Sequence, residues 1–274
     1  MKLKNKFLII FSFVWLPASV FAQLPEEIQW KHLIKTYNSD SSELVLSLNG
    51  KPLNGKYKIP LDDNSFALYN IKNGMINGEA FWYTNGEILE CKLSYRRGVR
   101  NGLKENYDKE GKVWLRQEYK DGKQNGFSEM YSNGKISNKS IYKAGKKDGL
   151  SVSFNGDRVA TETNYENDLK HGISKTYGPD GKLTLEVDYK DDKRDGWYRV
   201  YNDGQLLTET QYVNGLQDGV SNTYVMGNKN MDANYVKGKG HGISHMYKSD
   251  GSVLFESYYL NGEKVDKATF LKNQ

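Results

Sequence analysis

Between Gly78 and Tyr259 polar and apolar side chains alternate in short runs, broken at fixed intervals by glycine. In the stretch from Trp197 to Tyr201, Trp197, Arg199 and Tyr201 point one way and Tyr198 and Val200 the other. In the run before it, Leu183, Leu185, Val187 and Tyr189 share one face, and Thr184, Glu186 and Asp188 share the opposite one. Period-two alternation over six to eight residues predicts half-buried strands, and the enrichment in Tyr, Thr and Val agrees. Asn85-Gly86, Asn133-Gly134 and Asp203-Gly204 are hairpin-tip dipeptides, because a tight hairpin needs positive φ at its central positions. No helical period follows Gly55. Strands are expected near residues 79–84, 88–95, 103–108 and 113–119, and onward at the same spacing.

The spacing is a repeat. A glycine preceded by Asn, Asp or His recurs at Gly78, Gly102, Gly126, Gly149, Gly172, Gly196, Gly219 and Gly242, in steps of 23 or 24 residues, with an earlier copy at Gly55. Five residues after each anchor from Gly78 onward stands an aromatic ring (Tyr83, Tyr107, Tyr131, Phe154, Tyr177, Tyr201, Tyr224, Tyr247). Seven residues before each anchor from Gly102 onward stands a tyrosine, from Tyr95 to Tyr235. Four residues before most anchors is a second glycine, with Asp168 and Asp192 as substitutes, which suits a turn needing positive φ. Each unit reads as strand, tip, strand, return turn. The one-residue variation in period belongs at the tip, because slipping a strand by one residue would turn its apolar face to water. A fixed period of this length marks a repeat architecture, in which neighbouring units bury one another.

Units such as HGISKTYGPDGK followed by LTLEVDYKDDKRDG resemble the bacterial variant of the MORN repeat, and the string of units is similar to the YwqK-type antitoxin family. The resemblance covers roughly residues 49 to 266, including the entry segment NGKPLNGKYKI. It implies an all-β, elongated, single-layer antiparallel meander of hairpins and a protein-binding role. Eight hairpins would extend on the order of 75 Å at ~4.8 Å per strand.

Composition adds to this picture. Hydrophobic content is 37%, low for a globular core, while aromatics reach 13% with 20 tyrosines, so rings are expected to take the place of a thick aliphatic core. The tyrosine rows are therefore expected to stack ring on ring. Lys2, Lys4 and Lys6 precede the ten-residue apolar run at residues 7–16, and Val20-Phe21-Ala22 offers a cleavage point, the pattern of a secretory signal too short to span a membrane. The net charge is +5 and falls to +2 without those three lysines. Acidic and basic residues are interspersed in every unit, so no basic stripe argues for nucleic acid. The expected organisation is a signal peptide at 1–22, an N-terminal capping segment at 23–54, the repeat array at 55–266 and a polar C-terminal tail at 267–274. Residues 26–37 read as a helical turn or two, and residues 44–48 as a strand.

No catalytic, cofactor or metal set emerges. His171 and His241 stand just before anchor glycines, where turn chemistry accounts for them, and His241 and His245 lack a carboxylate or Cys to complete a metal site. Glu162, Glu186, Glu209 and Glu256 recur once per unit, as a ladder paired with Lys and Arg would. Cys91, the one cysteine, replaces a leucine of other units and reads as a buried, inert thiol. The expectation is an exported, non-enzymatic binding or scaffold protein of the periplasm, envelope or exterior. Its ring-lined face docks a protein, antitoxin- or immunity-like, around Tyr131, Tyr177, Trp197 and Tyr201. The alternative is a glycan-binding or membrane-associated repeat module.

Overall fold

The computed structural model describes residues 25–37, 44–62 and 64–273; the expected signal peptide lies outside them. The chain forms an open antiparallel meander from Gly55–Pro60 to Glu263–Val265 in which successive long strands pair, Gly78–Thr84 with Phe66–Lys72 and Gly242–Tyr247 with Asn228–Val236 across the two-residue strands Met75–Ile76 and Lys239–Gly240. The strands expected near 79–84, 88–95, 103–108 and 113–119 are Gly78–Thr84, Ile88–Arg96, Val99–Tyr107 and Val113–Lys120.

The third of these starts before its anchor glycine, and this corrects the reading of the anchors as turn residues. Arg100 pairs with Tyr95 and Lys104 with Leu93, with a register shift between them. The anchor thus sits in a β-bulge inside a continuous strand, with pairing resumed on both sides. The chain reverses four residues earlier, at two-residue turns such as Asp121-Gly122, where φ is 49° and 80°. Both central residues are left-handed, as a type I′ turn demands. The substitutes behave as expected, with φ of 74° at Asp168 and 64° at Asp192.

Length variation does fall at the tips. The 23-residue unit after Gly126 closes through Asn133-Gly134 between Ser132 and Lys135, whereas the 24-residue unit after Gly102 closes through the longer 108–112 tip, where Asp108 Oδ1 accepts the N–H groups of Glu110 and Lys112.

The return turns also bond to one another. Gly122 N–H donates to Arg100 O at 2.8 Å, Gly145 to Gln124 at 2.7 Å and Gly215 to Arg194 at 2.8 Å. The residue before each anchor completes this contact. Asn125 Oδ1 accepts the Ala144 N–H at 3.2 Å, Asp195 accepts Asn214 at 2.9 Å, and His241 Nδ1 accepts Asn261 at 3.4 Å. A short acceptor is needed there, which explains the Asn, Asp or His preference.

The apolar core lies at the N-terminal end. Glu26–Glu27 runs parallel to Gly55–Pro60, and Ile34–Tyr37, Leu44–Leu48 and Lys51–Pro52 form a small second sheet. Residues 26–37 carry a single 3-10 turn, Trp30–His32, between strands, rather than a helix; residues 44–48 form the strand expected. Ile28, Leu33, Leu46 and Leu53 bury Tyr57, Ile59, Ala67 and Tyr69 on one face of the first strands. At the other end the tail read as polar forms the helix Lys267–Lys272, N-capped by Asp266, whose Oδ1 accepts the Thr269 N–H at 2.9 Å. Phe270, 1% exposed, packs on Tyr258 at 5.3 Å between ring centres.

Candidate docking face

Alternation gives the sheet two chemically distinct faces. On one, a central row runs straight across the strands through Gln117, Ser128, Ser140, Ser151, Thr163 and Ser174. Cross-strand hydroxyls bond there, Ser140 to Ser151 at 2.8 Å and Thr163 to Ser174 at 2.9 Å. The tyrosines seven before each anchor flank this row. They do not stack ring on ring as expected: ring pairs gather at the N-terminal end, around Trp82, and at Tyr198–Tyr212. At Tyr165, Tyr189 and Tyr212 a cation from the preceding strand covers the ring, whereas glutamine, Gln124 and Gln217, holds that place beside Tyr142 and Tyr235. Lys147 lies 5.0 Å from the Tyr165 centroid, Lys170 5.0 Å from Tyr189 and Arg194 5.2 Å from Tyr212. Lys and Arg sit two residues before the anchor, where their stems cover the neighbouring ring and the charge stays in water.

The opposite face carries charge. Its central row, strand by strand, is Lys92, Glu105, Arg116, Glu129, Lys139, Val152, Glu162, Lys175, Glu186, Arg199 and Glu209, each directly opposite the next. Arg116 and Glu105 meet at 2.9 Å, Lys139 and Glu129 at 2.9 Å, and Arg199 and Glu186 at 2.9 Å. The glutamates recurring in the sequence are members of this row. The sequence reading missed their counterparts Lys92, Arg116 and Lys139, which hold the same place, ten residues before the anchor, in the earlier units. The sign at that place inverts between Lys139 and Glu162, and the sign three after the anchor inverts with it, from Glu105 and Glu129 to Lys175 and Arg199. Val152 stands at the change.

The tyrosines five after the anchors lie on this charged face, and Tyr107, Tyr131, Tyr177, Tyr224 and Tyr247 aim at its carboxylates. Tyr107 donates to Glu105 at 3.0 Å and Tyr131 to Glu129 at 2.8 Å, each two residues back. Past the inversion the acceptor is on the neighbouring strand: Tyr177 donates to Glu162 at 2.8 Å, Tyr224 to Glu209 at 2.8 Å, and Tyr247 to Asp232. At Phe154 both places are non-acidic, Val152 on its own strand and Lys139 on the next, and the ring there has no hydroxyl.

These contacts shift proton affinities. Burial, then the Glu162 bond and charge, push the Tyr177 phenol up to about 12; burial and Glu209 do the same for Tyr224, to about 12. For Tyr247 the Asp232 bond comes first and burial second, again to about 12. Burial alone would raise Glu129, but bonds from Lys139 and Tyr131 outweigh it and hold the carboxyl below its ordinary value. Glu209 is likewise lowered against burial by Tyr224, Asn222 and Arg199.

Tyr131, Tyr177, Trp197 and Tyr201 all lie half-buried on this charged face. Trp197 belongs to a third row, one residue after each anchor from Gly102 onward: Leu103, Phe127, Leu150, Ile173, Trp197, Val220 and Ile243. The Arg199 guanidinium sits 5.0 Å from the Trp197 ring. Leu150 and Ile173 are exposed, at 40% and 43%. The face is thus an apolar row, a charged row and a phenol row side by side.

Cys91 is half-buried opposite Trp82, and burial pushes its thiol up against the pull of Lys104 and Arg100. His245 bonds Asp232 at 3.0 Å within the charged row. Among the described residues no group of three or more His, Cys, Asp or Glu could hold a metal ion, and no helix is long and apolar enough to cross a membrane.

One family model, described as a MORN repeat variant, matches residues 170–191, the span from the strand Leu169–Tyr177 to the return turn after Leu183–Lys190. No curated protein matches the chain. The match supports a MORN-variant repeat protein, a repeat-type binding or scaffold module of a generally non-catalytic kind, and the all-β repeat fold is consistent with it.

Proposed function

We propose that the protein is an exported, non-enzymatic docking module that holds a protein partner on the charged face near the middle of the array. The observation that carries this is the combination of rows there. Half-buried rings and exposed aliphatic side chains at Phe127, Leu150, Ile173 and Trp197 border charges of both signs, so one surface offers apolar anchors and polar complementarity together. The residues matching the signal pattern, 1–22, place that docking outside the cytoplasm in this reading, and the similarity to the antitoxin-type family suits a partner neutralised by binding. Nucleic acid, with its demand for a basic stripe, fits this alternating row poorly.

The test is capture from envelope and secreted fractions with residues 23–274 as bait. A stoichiometric partner that Trp197→Ala and Tyr177→Ala release, and that Tyr189→Ala on the other face retains, supports the reading. Capture indifferent to all three, with melting curves in hand, removes the face from consideration.

A further inference from the structure

The charge inversion has a geometric meaning. An unbroken alternation is symmetric about any of its charges. A row that slips phase at one neutral residue is antisymmetric about it. Counting strands outward from Val152, Lys139 stands against Glu162 at one strand's remove and Glu129 against Lys175 at two, and so on to Lys92 against Glu209 at five. At every distance the two sides carry opposite sign.

We infer that this face docks a second copy of the same chain, about a two-fold axis running along the strand Lys146–Asn155; the inference rests on the reading of this face as a protein-docking surface and names its partner. Rotation about an axis along the strand reverses the order of strands and preserves position along them. Lys139 then faces the second copy's Glu162, and each further charge meets its opposite. Had the alternation run unbroken through residue 152, with the signs of the later units following from it, every member of the row would face its like. The same operation sets the apolar row on the apolar row and the phenols on the phenols, with Phe127 over the second copy's Ile173. Such self-complementarity is what an isologous interface requires.

The residues on the axis are the ones that break the repeat. Leu150, Val152 and Phe154 project from one strand onto this face, and two of them stand where the two units on either side have a charge (Glu105, Glu129, Lys175, Arg199) and where every other unit has a tyrosine. Beside them Ile141 replaces the polar side chain that other units place eight before the anchor, as in Glu118 and Asp188. Three departures toward apolar character meet at the one place where the two copies present identical residues to each other, and where a charge would be repelled by itself. The cations also project further than the acids: the Lys139 side chain is 44% exposed and its partner Glu129 10%. They are placed to reach across.

Size is adequate. Eleven strands at ~4.8 Å spacing and a width of four residues at ~3.4 Å give a footprint of about 700 Å² per copy, against about 800 Å² for a standard interface. The end structures leave this area clear, since the N-terminal sheet covers the hydroxyl face and the C-terminal helix packs on Tyr258 at the far end.

The experiment is charge exchange read by light scattering after size exclusion. The unsubstituted protein is expected to run as a dimer that salt weakens. Lys139→Glu and Glu162→Lys each put two like-charge pairs across the interface and should raise the dissociation constant by roughly 100-fold, about tenfold per pair. An equal mixture of the two variants restores both pairs and should recover the dimer mass, which a merely misfolded variant could not do. A monomer in the unsubstituted protein, or a mixture that stays monomeric, overturns the inference. Capture of a different partner by the same face, released by Trp197→Ala, would then show the docking reading standing without it.

Discussion

The Tyr177 hydroxyl donates to the Glu162 carboxylate at 2.8 Å from the strand beside it. Phe154, the equivalent ring one unit earlier, has Val152 and Lys139 where a carboxylate would be needed. Hydrogen bonds to charged groups contribute more than neutral ones, so Tyr177→Phe is expected to cost about 1–2 kcal/mol at this half-buried site. Phe154→Tyr adds a hydroxyl with no acceptor there and should gain nothing. Urea melts of the two variants test the asymmetry, and equal effects would mean the phenol row is indifferent to the charges beneath it.

The same bonds fix the pH response. Tyr177, Tyr224 and Tyr247 titrate at about 12 in the folded protein against an ordinary value of 10.0. Above that ordinary value the unfolded chain binds fewer protons than the folded one, so the stabilisation present below pH 10 is lost as pH rises through about 12. Glu129 and Glu209 work in the opposite sense. Their folded values lie below the ordinary 4.5, so their contribution is present above it and fades as pH falls. Stability should therefore be flat between and decline at both ends. Tyrosinate absorbance should lag for these three phenols and for Tyr69 and Tyr107, which are raised as well, and Tyr177→Phe should remove one of the lagging groups.

Much of this was legible in the sequence. Period-two alternation separated the two faces correctly, and the dipeptides with positive φ marked the reversals. What alternation could not supply was register between strands. The bulge at each anchor inserts residues on one side of the ladder only, Gln117 pairing with Ser128 but Tyr119 with Gln124. Which charge meets which is set by that irregularity. The glutamates of the later units were therefore visible as a column, while Lys92, Arg116 and Lys139 in the same column escaped notice. The segment 26–37 was illegible for another reason: two short strands and one 3-10 turn are each too brief to establish a period. The tail at 267–272 hid its helix in a single turn and a half, fixed by one cap and one buried ring.

Anchor and tip glycines should respond differently. Gly126 has φ of 115°, and a Cβ there would stand 1.9 Å from Glu118 Oε2, which accepts the Phe127 N–H at 3.1 Å. Gly134 at a tip has φ of 76° and open space around its Cβ position. Alanine at Gly134 meets backbone strain alone, about 1 kcal/mol; at Gly126 it also breaks the Glu118 contact and should cost about 2–3 kcal/mol. Equal losses in thermal melts would mean the bulge does not need its side-chain support.

The C-terminal helix should act as an edge cap. Truncating Phe270 to alanine removes a fully buried ring, a change that costs about 3 kcal/mol or more in a core. Because the helix packs on the last full strand, with Phe270 against Tyr258, the loss should be local. Hydrogen exchange should quicken across Val253–Leu260 and leave Lys193–Asn202 unchanged. Uniform quickening would show that the array unfolds as one cooperative unit.

The last prediction concerns Ile141, where fold and docking make opposite demands. Gln211 Oε1 accepts the Val220 N–H at 3.0 Å, and Asp188 Oδ2 accepts the Trp197 N–H at 2.8 Å. Ile141 holds the equivalent place before Gly149, its Cβ 3.1 Å from where a glycine Cβ would be, and has no atom to accept the Leu150 N–H. Restoring the repeat with Ile141→Gln should stabilise the fold by about 0.5–1 kcal/mol, one side-chain hydrogen bond. It also places a polar amide beside Leu150 and Val152, in the apolar break of the charged face, and should weaken association there. A gain in melting temperature together with a loss of dimer mass or partner capture is the expected pair, as when binding residues are kept at the expense of stability. If Ile141→Gln stabilises and leaves both kinds of association intact, the apolar break is a drift of the repeat and not a docking feature.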